Sequence, residues 1–525
     1  MSEPAAEQWQ RLSSRVVWVD VLVSVLSLLP GVAAIWVFGA DPSLTALWPL
    51  AFVAVAGLSG AAADILRWAF TAYRLTATDI EQRSGVFVRR HRTLHRDRVR
   101  SVDIATKLRH RIAGLRIVTV GAGQQAGAGE AALVLDALSA ADADALREDL
   151  FNTTVASPWP TATTADVLDT TDKRGEREGG DRAAEVLAVF KPWWAVYNMF
   201  SIWAYAMAAG LLWGGFWLLS SFGIDVVGVV ANMADWDSLG WVVITILVLA
   251  VTGLLGALGL GVNFLLSYWK FELARIRTGD HSHLRTRRGL LSTREVLRDE
   301  LRMRGMSISE PLLWRWMRMA DTNVITTGLN AWDPQEPTAI LPRGPVTESH
   351  RVAGKIFGPE NPFEATLTKH PRTALRRRLW WGTAGSAAAP AALLLPALTG
   401  VIPGWMPWAA AAAWPPALLA AVVAYRALGH AIADEYVVVR SGLLSRTTSA
   451  LRRDAVSTVA VRQSLLQRRL GLATVSAMTA AGWSTYEIPD VPADQAAGLA
   501  SDAAPGVLCD FIEQGRPLAS TIMAK

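Results

Sequence analysis

Along the chain, long apolar stretches alternate with short runs of strand and turn text. Lys and Arg are absent from residues 16–66, 192–269 and 379–425, although the chain carries 51 of them. These stretches run from 47 to 78 residues, and a spanning helix needs about 20 apolar residues, so each is predicted to hold a pair of helices. The first pair, 16–39 and 43–68, is divided by "GADPS"; the third, 379–399 and 405–427, by "GVIPG"; both dividers are turn text. The middle pair, 193–222 and 239–268, is split by "GIDVVGVVANMADWDS". The pattern predicts a multi-pass α-helical membrane protein with six spans arranged as three helix hairpins.

Between the hairpins the period switches from helix to strand. "DIEQRSGVFVRR" and "EYVVVRSGLLSR" each place two short runs around a central glycine, Gly85 or Gly442, as a tight hairpin requires. Counted from that glycine, Asp97 and Asp454 follow at twelve residues, Val99 and Val456 at fourteen, Val102 and Val459 at seventeen, and Gly114 and Gly471 at twenty-nine. Spacing shared over thirty residues indicates a repeat. A looser copy, "RRGLLSTREVLRDELRM", sets Gly289 in the turn and Met306 seventeen residues on, with Leu301 where the other copies have Asp. "SAADADALREDL", with Ser139 as N-cap, and "PADQAAGLASDA", with Pro492 at its start, each predict a closing helix.

The expected organisation is an N-terminus at 1–15, hairpin 16–68, β domain 69–151, flexible linker 152–185, hairpin 186–269, and a divergent β domain 270–345. A linker and interfacial segment at 346–378, hairpin 379–428, β domain 429–506 and tail 507–525 complete it. The Thr, Asp, Gly and charge of 152–185 cannot bury a core.

The helix pair followed by "YRLTATDIEQRSGVF", "LHRDRVRSVDI" and "RIAGLRIVTV" resembles the bacterial PH-like domain membrane proteins of the YdbS/YdbT type, and the three-copy length is similar to the YdbT-like members. The resemblance implies three β-rich PH-like domains, each a seven-stranded roll capped by a C-terminal helix, on an inner-membrane protein. It supplies no catalytic residues.

Composition sharpens this picture. With 51% hydrophobic residues and 23 Trp the chain is too apolar for an ordinary soluble protein. Basic residues are retained on the cytoplasmic side, so the connectors lacking Lys and Arg are expected outside, with both termini and all PH-like domains cytoplasmic. The first apolar stretch is too long for a cleaved signal and is followed at once by a second. The lone Cys509 allows no internal disulfide and suits a reducing compartment. The net charge of +5 reflects a basic surface beside anionic lipid; no nucleic-acid motif accompanies it.

Candidate chemistry is sparse. "GAGQQA", 121–126, fits a dinucleotide pattern but continues into a strand, so a hairpin turn is expected there. His281 and His283 beside Asp280 could share a strand face as metal ligands, but lack further ligands and read as a solvated loop. His91 and His95 sit among arginines and read as surface residues. Asp20 and Asp64 lie near the ends of the first pair, where charge costs less. No nucleophile elbow or P-loop occurs, so no enzyme, catalytic residue, cofactor or metal is expected.

The basic run 89–100 is the candidate for contact with an anionic surface. Strand alternation would put Arg90, Arg92, Arg96, Arg98 and Arg100 on one face. Arg376, Arg377 and Arg378 beside Trp380 and Trp381 read as an interfacial anchor. The expected role is a non-enzymatic scaffold or adaptor, with the lipid bilayer, anionic headgroups and a protein partner or a second copy as partners. The alternative is a component of a transport or export system, for which Pro30, Pro390 and Pro396 are possible kinks but no midplane charge is present.

Overall fold

The computed structural model describes residues 9–26, 29, 44–76, 78–85, 88–96, 99, 101–121, 132–153, 184–201, 203–233, 236–278, 281–326 and 338–507. The chain forms two compact units, Met1–Arg302 and Met303–Lys525, and the division falls inside the 270–345 segment.

In the first unit the strands are β1 (Gln10–Arg11), β2 (Ala72–Leu75), β3 (Asp79–Ser84), β4 (Arg90–His95), β5 (Ser101–Thr106), β6 (Leu115–Gly121), β7 (Ala132–Ser139), β8 (Ala184–Val189), β9 (Glu272–Thr278), β10 (His281–Arg288) and β11 (Thr293–Asp299). The helices are α1 (Arg15–Leu26), α2 (Leu44–Phe70), α3 (Leu108–Ile112), α4 (Ala140–Thr153), α5 (Ala195–Met199), α6 (Trp203–Ser221), α7 (Val226–Ala231) and α8 (Trp236–Tyr268). The strands form a four-stranded sheet, β1-β2-β3-β4, and a seven-stranded one, β7-β6-β5-β11-β10-β9-β8.

In the second unit they are β12 (Met303–Pro311), β13 (Met319–Thr326), β14 (Ala339–Pro345), β15 (Gly429–Ala433), β16 (Tyr436–Ser441), β17 (Ser445–Arg452), β18 (Thr458–Arg462), β19 (Leu472–Met478) and β20 (Thr485–Pro492). Its helices are α9 (Val346–Phe357), α10 (Arg372–Leu398), α11 (Met406–Ala411), α12 (Trp414–Arg426), α13 (Leu465–Arg469) and α14 (Ala493–Ala503). The sheets are β14-β13-β12-β17-β16-β15 and β18-β19-β20. These antiparallel sheets, each β-region ending in a helix, are consistent with PH-like domains.

The sequence pattern placed each β domain after its hairpin, but the sheet starts before it. Gln10 of β1 pairs with Tyr73 of β2 across the first hairpin. Ala184 of β8 pairs with Ile276 of β9 across the second, and Thr368 bridges to His430 across the third. The chain therefore enters and leaves each apolar segment through neighbouring backbone. β1 and β8 are short or isolated in the text, which is why periodicity missed them.

The turn glycines take the backbone their position demands. Gly85, Gly289 and Gly442 have φ of 114°, 109° and 114°, outside what a side chain tolerates. An added Cβ would stand 2.0, 1.8 and 1.9 Å from the carbonyl oxygen three residues on. The cores follow the strand alternation: Ile80, Val102, Val118, Val120 and Leu135 pack with Ala143 and Leu146 of α4 in the first unit. Val437, Leu451, Val475 and Ile488 pack with Ala496, Ala500 and Ala503 of α14 in the second. An alanine face lets α14 lie close on its sheet. Ser139 caps α4, accepting from the Asp142 amide at 3.1 Å, as the text predicted.

Six spans are not reproduced. Two described helical segments, Ser238–Tyr268 and Met406–Arg426, are long and apolar enough to cross a membrane, or three if the pair Pro192–Met199 and Trp203–Ser220, bent by 93°, is one span. α10 opens with Arg372, Arg376, Arg377 and Arg378, contains Pro390 and Pro396, and is otherwise rich in Ala and Gly, so its apolarity is low despite 27 residues. Most of the predicted 16–39 helix beyond Leu26 lies outside the described residues, as do Pro30, most of the 152–185 linker and the tail with Cys509. The 346–378 segment, expected as linker, contains the amphipathic helix α9.

Candidate functional site

Where the third hairpin meets its sheet, a buried carboxylate gathers side chains from two helices. Asp490 of β20 is fully buried, and its φ of 63° marks the bulge where pairing with β19 shifts between Ala473 and Val475. Asp tolerates this left-handed conformation better than a branched residue. Its Oδ1 accepts from Arg377 at 2.5 Å and from Gln467 Nε2 at 3.1 Å, and its Oδ2 lies 3.3 Å from Arg378. Gln467 is fixed by a capping box with Ser464 at the start of α13 and also donates to Thr474 at 2.8 Å. Arg377 and Arg378 thus tie the first turns of α10 to the last strand.

A histidine pair extends the cluster. His370 Nδ1 lies 3.2 Å from the Asp490 carbonyl oxygen, and His430 Nδ1 lies 3.2 Å from His370 Nε2. A carbonyl can only accept, so Nδ1 of His370 carries the proton, its Nε2 accepts, and Nδ1 of His430 donates. The Tyr425 hydroxyl, from the end of α12, donates to the His370 carbonyl at 3.0 Å. Burial pushes both imidazoles below their ordinary value, His430 to about 4 with the neighbouring His370 adding to the effect. Both are held neutral at pH 7.

The first unit has a simpler counterpart. Asp136 of β7 accepts from Arg67, at the end of α2, at 3.1 Å, and His110 of α3 stands 3.3 Å away. Counted from the turn glycines, His110 and Gln467 occupy the same position. Burial pushes the Asp136 carboxyl up, but His110 and Arg67 outweigh it and hold it below the usual carboxylate range. Asp64 of α2 lies 3.6 Å from Arg109 of α3 and 3.7 Å from Arg67 of its own helix.

The residues singled out in the sequence fall as follows. Arg377 and Arg378 serve the Asp490 cluster, whereas Arg376, Trp380 and Trp381 are exposed, the two indoles edge to face at 4.9 Å. Arg90 is exposed and Arg92 half-buried on β4, but the strand ends at His95 and Arg96 sits in the following turn, so alternation does not carry through to it. Arg98, Arg100, Asp97 and Asp280 lie outside the described residues. His91 and His95 are about half exposed, 3.5 Å from Glu81 and 3.9 Å from Asp79. His281 and His283 are on β10, not in a loop, and His283 is buried. Among the described residues no group of three His, Cys, Asp or Glu could hold a metal ion. Gly121 of the "GAGQQA" run ends β6 and pairs with Ala132 of β7, while the rest of the run lies outside the described residues.

Sequence reasoning missed Asp490, Gln467, His370 and His430. Their one textual trace is an Asp within strand text, "YEIPDVP", where a solvent-free position is not expected to carry charge.

Residues 24–154 and 386–504 match the family described as Bacterial PH domain. Each matched segment begins in a hairpin and runs through the closing helix α4 or α14, so hairpin and sheet together form the similar unit. The comparisons with curated proteins and with solved structures gave no match.

Proposed function

We propose that the chain is a non-enzymatic integral membrane scaffold that presents three PH-like domains of the YdbT-like kind on the cytoplasmic face of the inner membrane. The observation that carries this reading is the Asp490 cluster, which fastens a sheet directly to the basic start of a hydrophobic hairpin. A domain so fastened is held at fixed height over a bilayer, as an adaptor surface needs. The exposed Arg376, Trp380 and Trp381 suit the headgroup layer at that height. Placement of both termini inside follows from the basic residues flanking the apolar stretches. The test is crosslinking and purification from intact membranes, paired with solute uptake by proteoliposomes. A reproducible protein partner without uptake above empty vesicles supports the scaffold; protein-dependent uptake supports a transport component instead.

A further inference from the structure

Two sheets in this chain are built by joining strands from successive β-regions, and both joints use one register. In the first, β11 pairs with β5, with Leu297 opposite Val102. In the second, β17 pairs with β12, with Ala450 opposite Met306. Leu297 and Ala450 each lie eight residues after their turn glycine, Gly289 and Gly442; Val102 and Met306 each lie seventeen after theirs, Gly85 and Gly289. The joint is therefore a rule: position eight of one region meets position seventeen of the region before it.

That rule leaves one strand of each kind over. β4, the counterpart of β11 and β17, has only β3 beside it among the described strands, and β18, the counterpart of β5 and β12, has only β19. The side chains register the difference. At position nineteen, Ile104 and Ile308 are buried at 6% and 2% exposure, whereas Val461 of β18 stands 48% exposed. At position eight, Leu297 and Ala450 are buried, whereas Thr93 of β4 is exposed. Edge strands bearing exposed apolar side chains are templates for pairing.

We propose that β18 of one chain pairs antiparallel with β4 of a second copy, in the register Val459 opposite Thr93, Val461 opposite His91 and Arg462 opposite Arg90. The contact is heterologous, so copies add head to tail and either close into a ring or extend. Both existing joints add an ion pair across the strands, Arg294 with Asp103 and Arg446 with Glu310 at 2.6 Å. Arg90 stands where Arg294 does, but Ala460 stands where Asp103 does, so the third joint lacks its acid. The Arg462 charge is already met by Glu487 at 2.7 Å. The missing pair makes this contact weaker than the two inside the chain, as suits one that assembles reversibly.

The inference is independent of the scaffold reading and is tested on the full chain in nanodiscs or native membranes. In a Cys509→Ser background, Thr93→Cys chains and Val459→Cys chains are mixed under mild oxidant. Facing residues of an antiparallel pair stand about 4.5–5.5 Å apart at Cβ, within disulfide reach. A covalent dimer from the mixture, and none from either chain alone, is expected. Ala460→Asp should tighten association by about tenfold, and Val461→Lys should weaken it by at least as much, while the chain stays folded by circular dichroism. A disulfide that forms only when both cysteines share a chain, leaving it monomeric, overturns the proposal in favour of self-closure. Salt-sensitive capture of anionic vesicles through Arg90 and Arg92 without any dimer overturns it in favour of a lipid surface.

Discussion

The Asp490 cluster and the Asp136 cluster fasten hairpins to sheets with different chemistry. Asp490 is fully buried and held by two arginines from the helix that enters its hairpin, plus a glutamine amide. Asp136 is partly open and held by one arginine from the helix that leaves its hairpin, with a histidine in the glutamine's place. Burial raises the stakes of a charge, since a buried ion that loses its partner keeps its desolvation cost. The third region is thus the stiffer joint and the more fragile one, and the first is looser but more forgiving.

The largest effect is expected at the deeper site. Asp490→Ala should destabilise the second unit by about 3–5 kcal/mol, the cost of stranding a buried charge partner. Asp136→Ala should cost the first unit less, about 1 kcal/mol, because its side chain is 20% exposed. Denaturation of the full protein in detergent, followed by unit-specific tryptophan reporters, measures both; equal losses would remove the distinction.

Gly442→Val tests the sheet rather than its fastening. With φ of 114° and a carbonyl 1.9 Å from the added Cβ, backbone strain of about 1–3 kcal/mol is expected in the second unit. An unchanged melting profile would contradict the turn geometry.

Acid separates the two clusters next. His370 and His430 have folded values below the ordinary 6.5, so the fold binds fewer protons than the unfolded chain. Their contribution is complete above about pH 6.5 and is lost as pH falls, for His430 through about 4, where its own share, discounted for partial exposure, is about 2 kcal/mol. Asp136 is also depressed, from 3.8, so its contribution persists to lower pH. Thermal melts between pH 7 and 4 should show the second unit weakening first, and His430→Gln should flatten that slope. The smallest effect is expected at Arg376→Gln, within about 0.5 kcal/mol, because the exposed Arg376 belongs to neither cluster.

Much of this architecture is legible in the text, and the gaps have physical causes. Gly85, Gly289 and Gly442 announce their turns because only glycine fits them, and Ser139 announces a helix start because its hydroxyl is needed there. The Lys- and Arg-free stretches mark the apolar helices, but among the described residues only two or three are long and apolar enough to span, and in α10 Ala, Gly and Pro contribute little apolarity. β1 and β8 escape because two and six residues at the mouth of a hairpin carry no periodicity. The Asp490 cluster escapes because His370, His430, Gln467 and Asp490 are far apart in the chain and meet only through the fold. Arg377 and Arg378 read as membrane anchors for the same reason: the text shows the adjacent tryptophans and hides the carboxylate.

The Asp490 cluster should make hairpin and sheet move as one body. Hydrogen exchange of the full protein in nanodiscs, compared with Arg377→Gln/Arg378→Gln, tests it most directly. In the double variant β20 (Thr485–Pro492), α13 (Leu465–Arg469) and the first turns of α10 are expected to lose protection together. Loss confined to α10, with β20 and α13 unchanged, would contradict it.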